Sequence, residues 1–544
     1  MEEKVSRKEF LSMLGYGAFF VVGAMIGLGA FSERSATDKK DANLFPKASA
    51  SSLGLWTLGP NTLSIAIHAA LLNNGKVLYV SGSGNNPKNA KGPFKAGLLD
   101  PKTQSQTEII LAEDLFCGGH CQLGNGNILF GGGTKAYKTD TFEKKFQGLS
   151  CAYIFDVASE SFVKVSSMAH GRWYPTLVCL SEGEIFTVNG SDEFGCMNDL
   201  TEIYDLQNDS WTIKFDPNSD LTYCVGMCSS EPGAGSPCYG GPNHGTNPPV
   251  FMYPRMHLLP NGLVAVCGQK KDLRSWNPST FAWRTNGNMI TGPRSYGTSI
   301  LLPLQNKKAE IGQILVVGGS SDSDTPATNK CEIVSPTPTG RLVTRSTNPM
   351  NYARKYPSPV ILPDGKVLII GGTTQGNNVE NAVYSPELYD PSTQQWTVLP
   401  PATVPRMYHS VALLLQDGRI WTASTSYSTT NAELRTEIFS PSYMFEDRPA
   451  ITGSPVVDLA KQVITIPTDN PSTIASVSLV RTSTITHNLN TDQRLLWLQI
   501  VNSGASKIVA KAPISKNLAP PGYYLIHVIN NNGIPSEGAF IKIS

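Results

Sequence analysis

Apolar and polar positions along this chain repeat one phrase seven times: an apolar run, a turn built on glycine, a second apolar run, and often Gly-Gly or a small residue at the end. The copies are Ile65–Gly82, Cys121–Gly133, Tyr174–Gly190, Met256–Gly268, Thr298–Gly319, Pro359–Gly372 and Val411–Ser424. Their turns fall at Asn74-Gly75, Asn125-Gly126, Glu182-Gly183, Asn261-Gly262, Gly312, Asp364-Gly365 and Asp417-Gly418. Asn-Gly and Asp-Gly between apolar runs are hairpin signals, because glycine accepts the positive φ of a type I′ turn. Most of these turns lie about 50–57 residues apart, near the kelch period of about 50, with one gap of about 79.

A second phrase in the repeat reads as an outer strand, as in Ala152–Asp156, Glu202–Asp205, Glu387–Pro391 and Glu437–Pro441. Trp211, Trp283 and Trp396 follow three of these strands and are expected to pack between repeats. A single four-stranded sheet cannot bury both of its faces, so its neighbours must cover them, and a ring removes the bare edges. The pattern predicts an all-β chain with a seven-bladed kelch-type β-propeller over residues 56–442. Beyond it, the runs Val463–Ile466, Ile474–Val480, Leu495–Val501, Lys507–Ala512 and Tyr523–Ile529 predict an immunoglobulin-like β-sandwich over residues 443–544.

The N-terminus follows another pattern. Leu11–Phe31 carries no charge and is about long enough to cross a bilayer. It follows Lys4, Arg7 and Lys8, which would hold that end in the cytoplasm. Residues 1–31 are therefore expected to be an export signal or a single-pass membrane anchor, with 32–55 as a polar linker. Either alternative puts the body outside the cytoplasm: secreted, periplasmic or tethered to the outer face of the membrane. A net charge of +1 gives no footprint for nucleic acid. The ten cysteines include no C-x-x-C pair, which argues against a zinc ribbon, and Cys224, Cys228 and Cys238 share a Gly/Pro-rich insertion that could hold a disulfide.

Candidate chemistry sits where repeats begin. Cys117 precedes the second copy, Tyr174 opens the third, and Tyr408-His409 open the seventh. His487 lies in a polar loop of the C-terminal domain. Strand-joining loops at one face of a propeller converge on its axis, and two imidazoles with two phenols suit Cu(II), which favours tetragonal N,O ligation. Blander readings stand beside this one. Cys117 could pair with Cys121, Tyr174 could be an ordinary strand aromatic, and Tyr408-His409 a buried polar pair. His120 could line the site or cap a turn, and His68, His170, His244, His257 and His527 read as structural.

Four segments resemble the copper radical oxidases, the family of galactose oxidase and glyoxal oxidase: Asp114–Gly119, Arg172–Pro175 (closer to the glyoxal oxidase form), Pro405–Ser410 and Thr486–Arg494. The resemblance implies Cu(II) held by Tyr174, Tyr408, His409 and His487, and a thioether joining Cys117 to the Tyr174 ring. It also implies a tyrosyl radical on Tyr174 and proton acceptance by Tyr408. The expected partners are a small-molecule alcohol or aldehyde and O2, with H2O2 as product. One departure concerns the radical. Galactose oxidase carries a Trp that stacks over the thioether, whereas the corresponding stretch here is Asn189–Phe194, which implies an unshielded ring. That departure, and the lack of an N-terminal carbohydrate-binding domain, point toward the glyoxal oxidase branch. The rival reading is a non-enzymatic kelch propeller that binds glycan or protein.

Overall fold

The computed structural model describes residues 52–138, 146–195, 197–198, 200–214, 252–428, 431–458 and 460–544. The expected signal or anchor, nearly all of the expected linker, Cys196 and the Cys224–Cys238 insertion lie outside the described residues. Among those described, no helix is long and apolar enough to cross a membrane.

Strands dominate. Each repeat copy seen in sequence supplies the inner hairpin of one antiparallel four-strand meander, giving seven such meanders among the described residues. Their innermost strands are His68–Leu71, Gly119–Gln122, Thr176–Cys179, Met256–Leu258, Thr298–Leu301, Ser358–Ile361 and Val411–Leu414. Every one of these strands is buried along its whole length. Neighbouring innermost strands pack side by side: second on third, third on fourth, fifth on sixth, sixth on seventh, and seventh on first. Side chains join the other two pairs. His120 donates to the Ala69 carbonyl at 3.2 Å, and His257 Nε2 lies 2.8 Å from Ser299 Oγ.

The hairpin turns differ in type from the sequence reading. Gly75, Gly126, Gly262, Gly365 and Gly418 have positive φ, but the Asn or Asp before each does not, so these are not type I′ turns. That residue instead accepts the backbone N–H two positions on, at 3.1 Å for Asn74 and 2.9 Å for Asp417. An Asx turn capped by a left-handed glycine explains the dipeptide.

The outermost strand of the seventh meander is Leu55–Leu58, which pairs with Ala432–Ser440 some 380 residues away, so the beginning of the folded region completes its last sheet. The outer tryptophans reach backwards as expected. Trp211 Nε1 donates to the Ser166 carbonyl and Trp396 Nε1 to the Asn348 carbonyl, each belonging to the previous meander.

The C-terminal segment forms two further sheets. One orders Leu495–Leu498, Ile474–Arg481, Gly522–Asn530 and Ala539–Ile543. The other orders Val456–Asp458, Val463–Pro467, Lys507–Lys511 and Ile500–Ser503. The expected single run Leu495–Val501 is thus split between the two sheets. Leu304–Gln305 of the fifth meander joins the first sheet in parallel to Leu495–Leu498, so one buried apolar cluster spans both regions.

Candidate metal centre

A short hairpin leaves this C-terminal unit and occupies the middle of the ring of innermost strands. Its strands Thr484–Thr486 and Leu489–Asn490 extend the first meander, with Thr486 opposite His68. From there the segment bonds to six of the seven innermost strands. Ser483 accepts from Leu71 N, Asp492 from Gln122 N, and the Asn488 carbonyl from Thr298 Oγ1. Asn490, Thr491 and Arg494 donate to the carbonyls of Pro359, Leu177 and Leu258. His487, at the tip, has φ +46.

Four buried Arg–Glu pairs set the register of the loops around it. Arg172–Glu202, Arg294–Glu332, Arg354–Glu387 and Arg406–Glu437 lie 2.7, 3.3, 2.6 and 3.8 Å apart, all nearly inaccessible to solvent. The carboxylates also accept backbone N–H groups from the loops just before their arginines, as Glu202 does from Ala169 and Glu437 from Val404. Two residues after each arginine stands a tyrosine: Tyr174, Tyr296, Tyr356 or Tyr408. The clamp therefore fixes the backbone just ahead of each of these tyrosines. The left-handed backbone at Tyr174 (φ +70) and His409 (φ +64) completes the turn and is the strain expected of a functional position.

The five residues singled out in the sequence meet here. One ligand atom each from Cys117, His409 and His487 lies within 4.8 Å of the other two, and all three residues are buried. Cys117 Sγ is 3.7 Å from His487 Nε2 and within hydrogen-bonding reach of the Tyr174 side chain. The hydroxyls of Tyr174 and Tyr408 touch each other. The His409 and His487 rings are 4.6 Å apart and nearly perpendicular. His409 Nδ1 pairs with Ser426 Oγ at 2.7 Å and His487 Nδ1 with Thr486 Oγ1 at 2.7 Å, so both turn Nε2 toward the common point. His409 Nε2 is buried with no partner.

Burial governs the electrostatics. It pushes the Tyr174, Tyr408 and Cys117 side chains well above their ordinary values and His487 well below; His409 falls to about 3. The imidazoles are thus neutral and able to act as ligands. The phenols need a nearby positive charge to ionise, which a bound dication provides. Two imidazole nitrogens, one of them the orphaned Nε2 of His409, and two phenol oxygens converging on one point fit copper.

The expectation of an unshielded Tyr174 is corrected. Trp173 stacks on the Tyr174 ring at 3.8 Å and 12°, and Phe146 stacks on Trp173 at 4.3 Å and 5°. The shielding ring comes from the residue just before the tyrosine rather than from the Asn189–Phe194 stretch, because the kink at Tyr174 folds the two neighbours onto each other. Sequence reasoning also missed Tyr253, whose ring lies 4.3 Å from Tyr174 and 4.5 Å from His487. Its hydroxyl donates to the Gly118 carbonyl at 2.8 Å, and its N–H donates to the Tyr174 carbonyl at 2.7 Å. The available clue was Tyr253-Pro254-Arg255, a variant of the Arg-x-Tyr phrase. All six described free cysteines are buried, including Cys117 and Cys121.

Comparison with known proteins gives a consistent picture. Residues 246–443 match the family described as glyoxal oxidase N-terminus, and residues 448–543 match the galactose oxidase-like, Early set domain; together these span more than half of the chain. A galactose oxidase of Gibberella zeae is 28% identical over 518 residues, covering 90% of this chain and 71% of the relative. An aldehyde oxidase of Vitis pseudoreticulata is 31% identical over 334 residues, covering 54% and 62%. The solved structure of a fungal alcohol oxidase of the AA5 family, in complex with copper, aligns with a TM-score of 0.73 at 24% identity, over 90% of this chain and all of that one. The chain belongs to the copper radical oxidases, the family of galactose oxidase and glyoxal oxidase.

Proposed function

We propose that this protein is an exported, mononuclear copper radical oxidase that converts a primary alcohol or small aldehyde to the aldehyde or acid, reducing O2 to H2O2. The observation that carries this reading is the meeting of Cys117, Tyr174, Tyr408, His409 and His487 from four distant parts of the chain. Tyr174, Tyr408, His409 and His487 would hold the metal. Copper bound there supplies a one-electron acceptor and acidifies a coordinated hydroxyl.

The chain's own groups do the rest. Substrate oxidation releases two electrons and two protons, so a second electron store is required. Tyr174 provides it once its ring carbon is bonded to Cys117 Sγ, an oxidation that takes one hydrogen from the thiol and one from the ring and passes both, with their two electrons, to O2 as H2O2. Trp173 and Tyr253 pack against that ring and exclude water from it. Tyr408, in contact with the Tyr174 hydroxyl, takes the substrate proton. We read the seven meanders as the blades of one kelch-type propeller over residues 56–442 and the last two sheets as an immunoglobulin-like sandwich over 443–544. The side-by-side packing of five neighbouring pairs of innermost strands, the side-chain hydrogen bonds that join the other two pairs, and the position of residues 483–494 among them support this. Export rests on the apolar segment Leu11–Phe31.

The test is aerobic Cu(II) loading followed by reducing, denaturing electrophoresis and peptide mass spectrometry. A Cys117–Tyr174 linked peptide two hydrogens lighter than its parts, with peroxide release on methylglyoxal, glycolaldehyde or galactose, is expected. A loaded chain whose two peptides remain separate overturns the reading.

A further inference from the structure

Two histidines on the axis have no part in the site above. His68, on the first innermost strand, is fully buried, and neither of its ring nitrogens has a hydrogen-bond partner. His120, on the next innermost strand, is 4% exposed; its Nε2 is taken by the Ala69 carbonyl, and its Nδ1 has no partner. Their ring centroids are 5.2 Å apart with planes at 84°. The ring of His68 is 6.0 Å from that of His487. Phe130 stacks on His120 at 5.0 Å and meets His68 edge-on at 6.3 Å.

Each buried polar group left without a partner costs about 1–3 kcal/mol, and three such nitrogens lie together here. No hydrogen bond joins the two rings to relieve the cost. The surroundings discriminate among occupants. Structural zinc is almost always held by four ligands, often including thiolate, and this pair offers two imidazoles beside a phenyl ring. A monovalent d10 ion accepts so few nitrogen donors and tolerates an apolar wall. Imidazole is a good copper ligand.

We propose that His68 and His120 form a second, buried metal site that takes Cu(I) between their two imidazoles. It lies one ring away from His487, close enough for an ion to pass between the two sites by ligand exchange. The competing occupant is water. A cavity of about 10 Å³, lined in part by His120, Tyr253, Thr484 and Thr486, has room for about one molecule.

Anaerobic titration of the metal-free full chain with Cu(I), against a chromogenic competitor, tests the site. Wild type is expected to hold one equivalent more than His68→Ala or His120→Ala. His487→Ala should keep the equivalent that those two variants lose. The remaining thiols bind Cu(I) equally in wild type, His68→Ala and His120→Ala and cancel, whereas Cys117, 3.7 Å from His487, is counted with the main centre. Anomalous diffraction at the copper edge from Cu(I)-soaked wild-type crystals should place a peak between the two rings and needs no variant to fold. Equal stoichiometry in wild type and in folded His68→Ala and His120→Ala, or density for a water without anomalous signal, overturns the proposal.

Discussion

Glu202→Gln is the sharpest test of how the fold aims Tyr174. The substitution keeps shape and removes charge, leaving the Arg172 guanidinium fully buried without its carboxylate. Breaking a buried ion pair in this way costs about 3–5 kcal/mol. Three carbonyls, of Asn189, Asn198 and Leu200, still accept from Arg172, so the lower end, about 3 kcal/mol, is expected in urea unfolding. The functional consequence is separate. Tyr174 stands two residues after Arg172, and a misplacement of about 1 Å can cost about 100-fold in a positioned reaction, so thioether formation after aerobic Cu(II) addition should slow by that order. Glu332→Gln is the control, because it breaks the equivalent Arg294 pair in the fifth meander, which carries none of the five site residues. It should lose similar stability yet cross-link at the wild-type rate. If both variants cross-link normally, or both fail alike, the clamp is general scaffolding and does not position Tyr174.

Cys117→Ser should retain copper, show no linked peptide and lose most turnover; full peroxide production would exclude the thioether as an electron store. His487→Ala should weaken Cu(II) binding at least tenfold by competition titration, since a tetragonal site loses one of its two nitrogens. Asp114→Asn should flatten the acid side of the stability profile. Burial raises the Asp114 carboxyl from 3.8 to about 6 even though it accepts from Ser83 N and Phe116 N. A raised carboxyl lends stability that is complete below the unfolded value and is lost as pH rises through about 6. The loss amounts to roughly 3 kcal/mol by neutral pH; urea unfolding of both proteins from pH 3 to 7 measures it, and parallel profiles would refute the assignment.

Local chemistry was the legible part of this chain. Five of the seven hairpins are encoded by an Asx-Gly turn between two apolar runs and the other two by a glycine turn without the Asx, so all seven repeats and their order could be read from the sequence, as could the motif residues themselves. Pairings across long separations left no mark. Leu55–Leu58 looks like the end of a linker until it is placed beside Ala432–Ser440, and nothing in Leu304-Gln305 announces a sandwich strand. The shield over Tyr174 was misread for a related reason. Stacking depends on where the backbone kinks, and the positive φ of Tyr174 is a tertiary property, so the adjacent Trp173 passed as an ordinary flank. Arg172, Arg406, Glu202, Glu387 and Glu437 stood in segments the sequence marked, but each partnership joins the loop before a sheet's first strand to its third strand, a contact that local sequence does not record.

The placement of residues 483–494 ties the chemistry to the assembly of the whole molecule. Cys117, Tyr174 and Tyr408-His409 come from loops of three different meanders, and each loop is held by its own sheet. His487 comes from outside, on a segment whose polar side chains are satisfied mainly by carbonyls and amides of the innermost strands. Withdrawn from the axis, Asp492, Asn490 and Arg494 would return to water at little cost, but the amides and carbonyls they serve would be left buried. The hairpin is therefore held by the ring's need for hydrogen bonds more than by its own apolar surface. A metal bound by His487 and His409 adds a link between that segment and the seventh meander, and by mass action a ligand at 1,000 times its Kd stabilises the bound fold by about 4 kcal/mol. A bound metal would give the donors two jobs at once: holding it, and fastening the C-terminal unit to the ring.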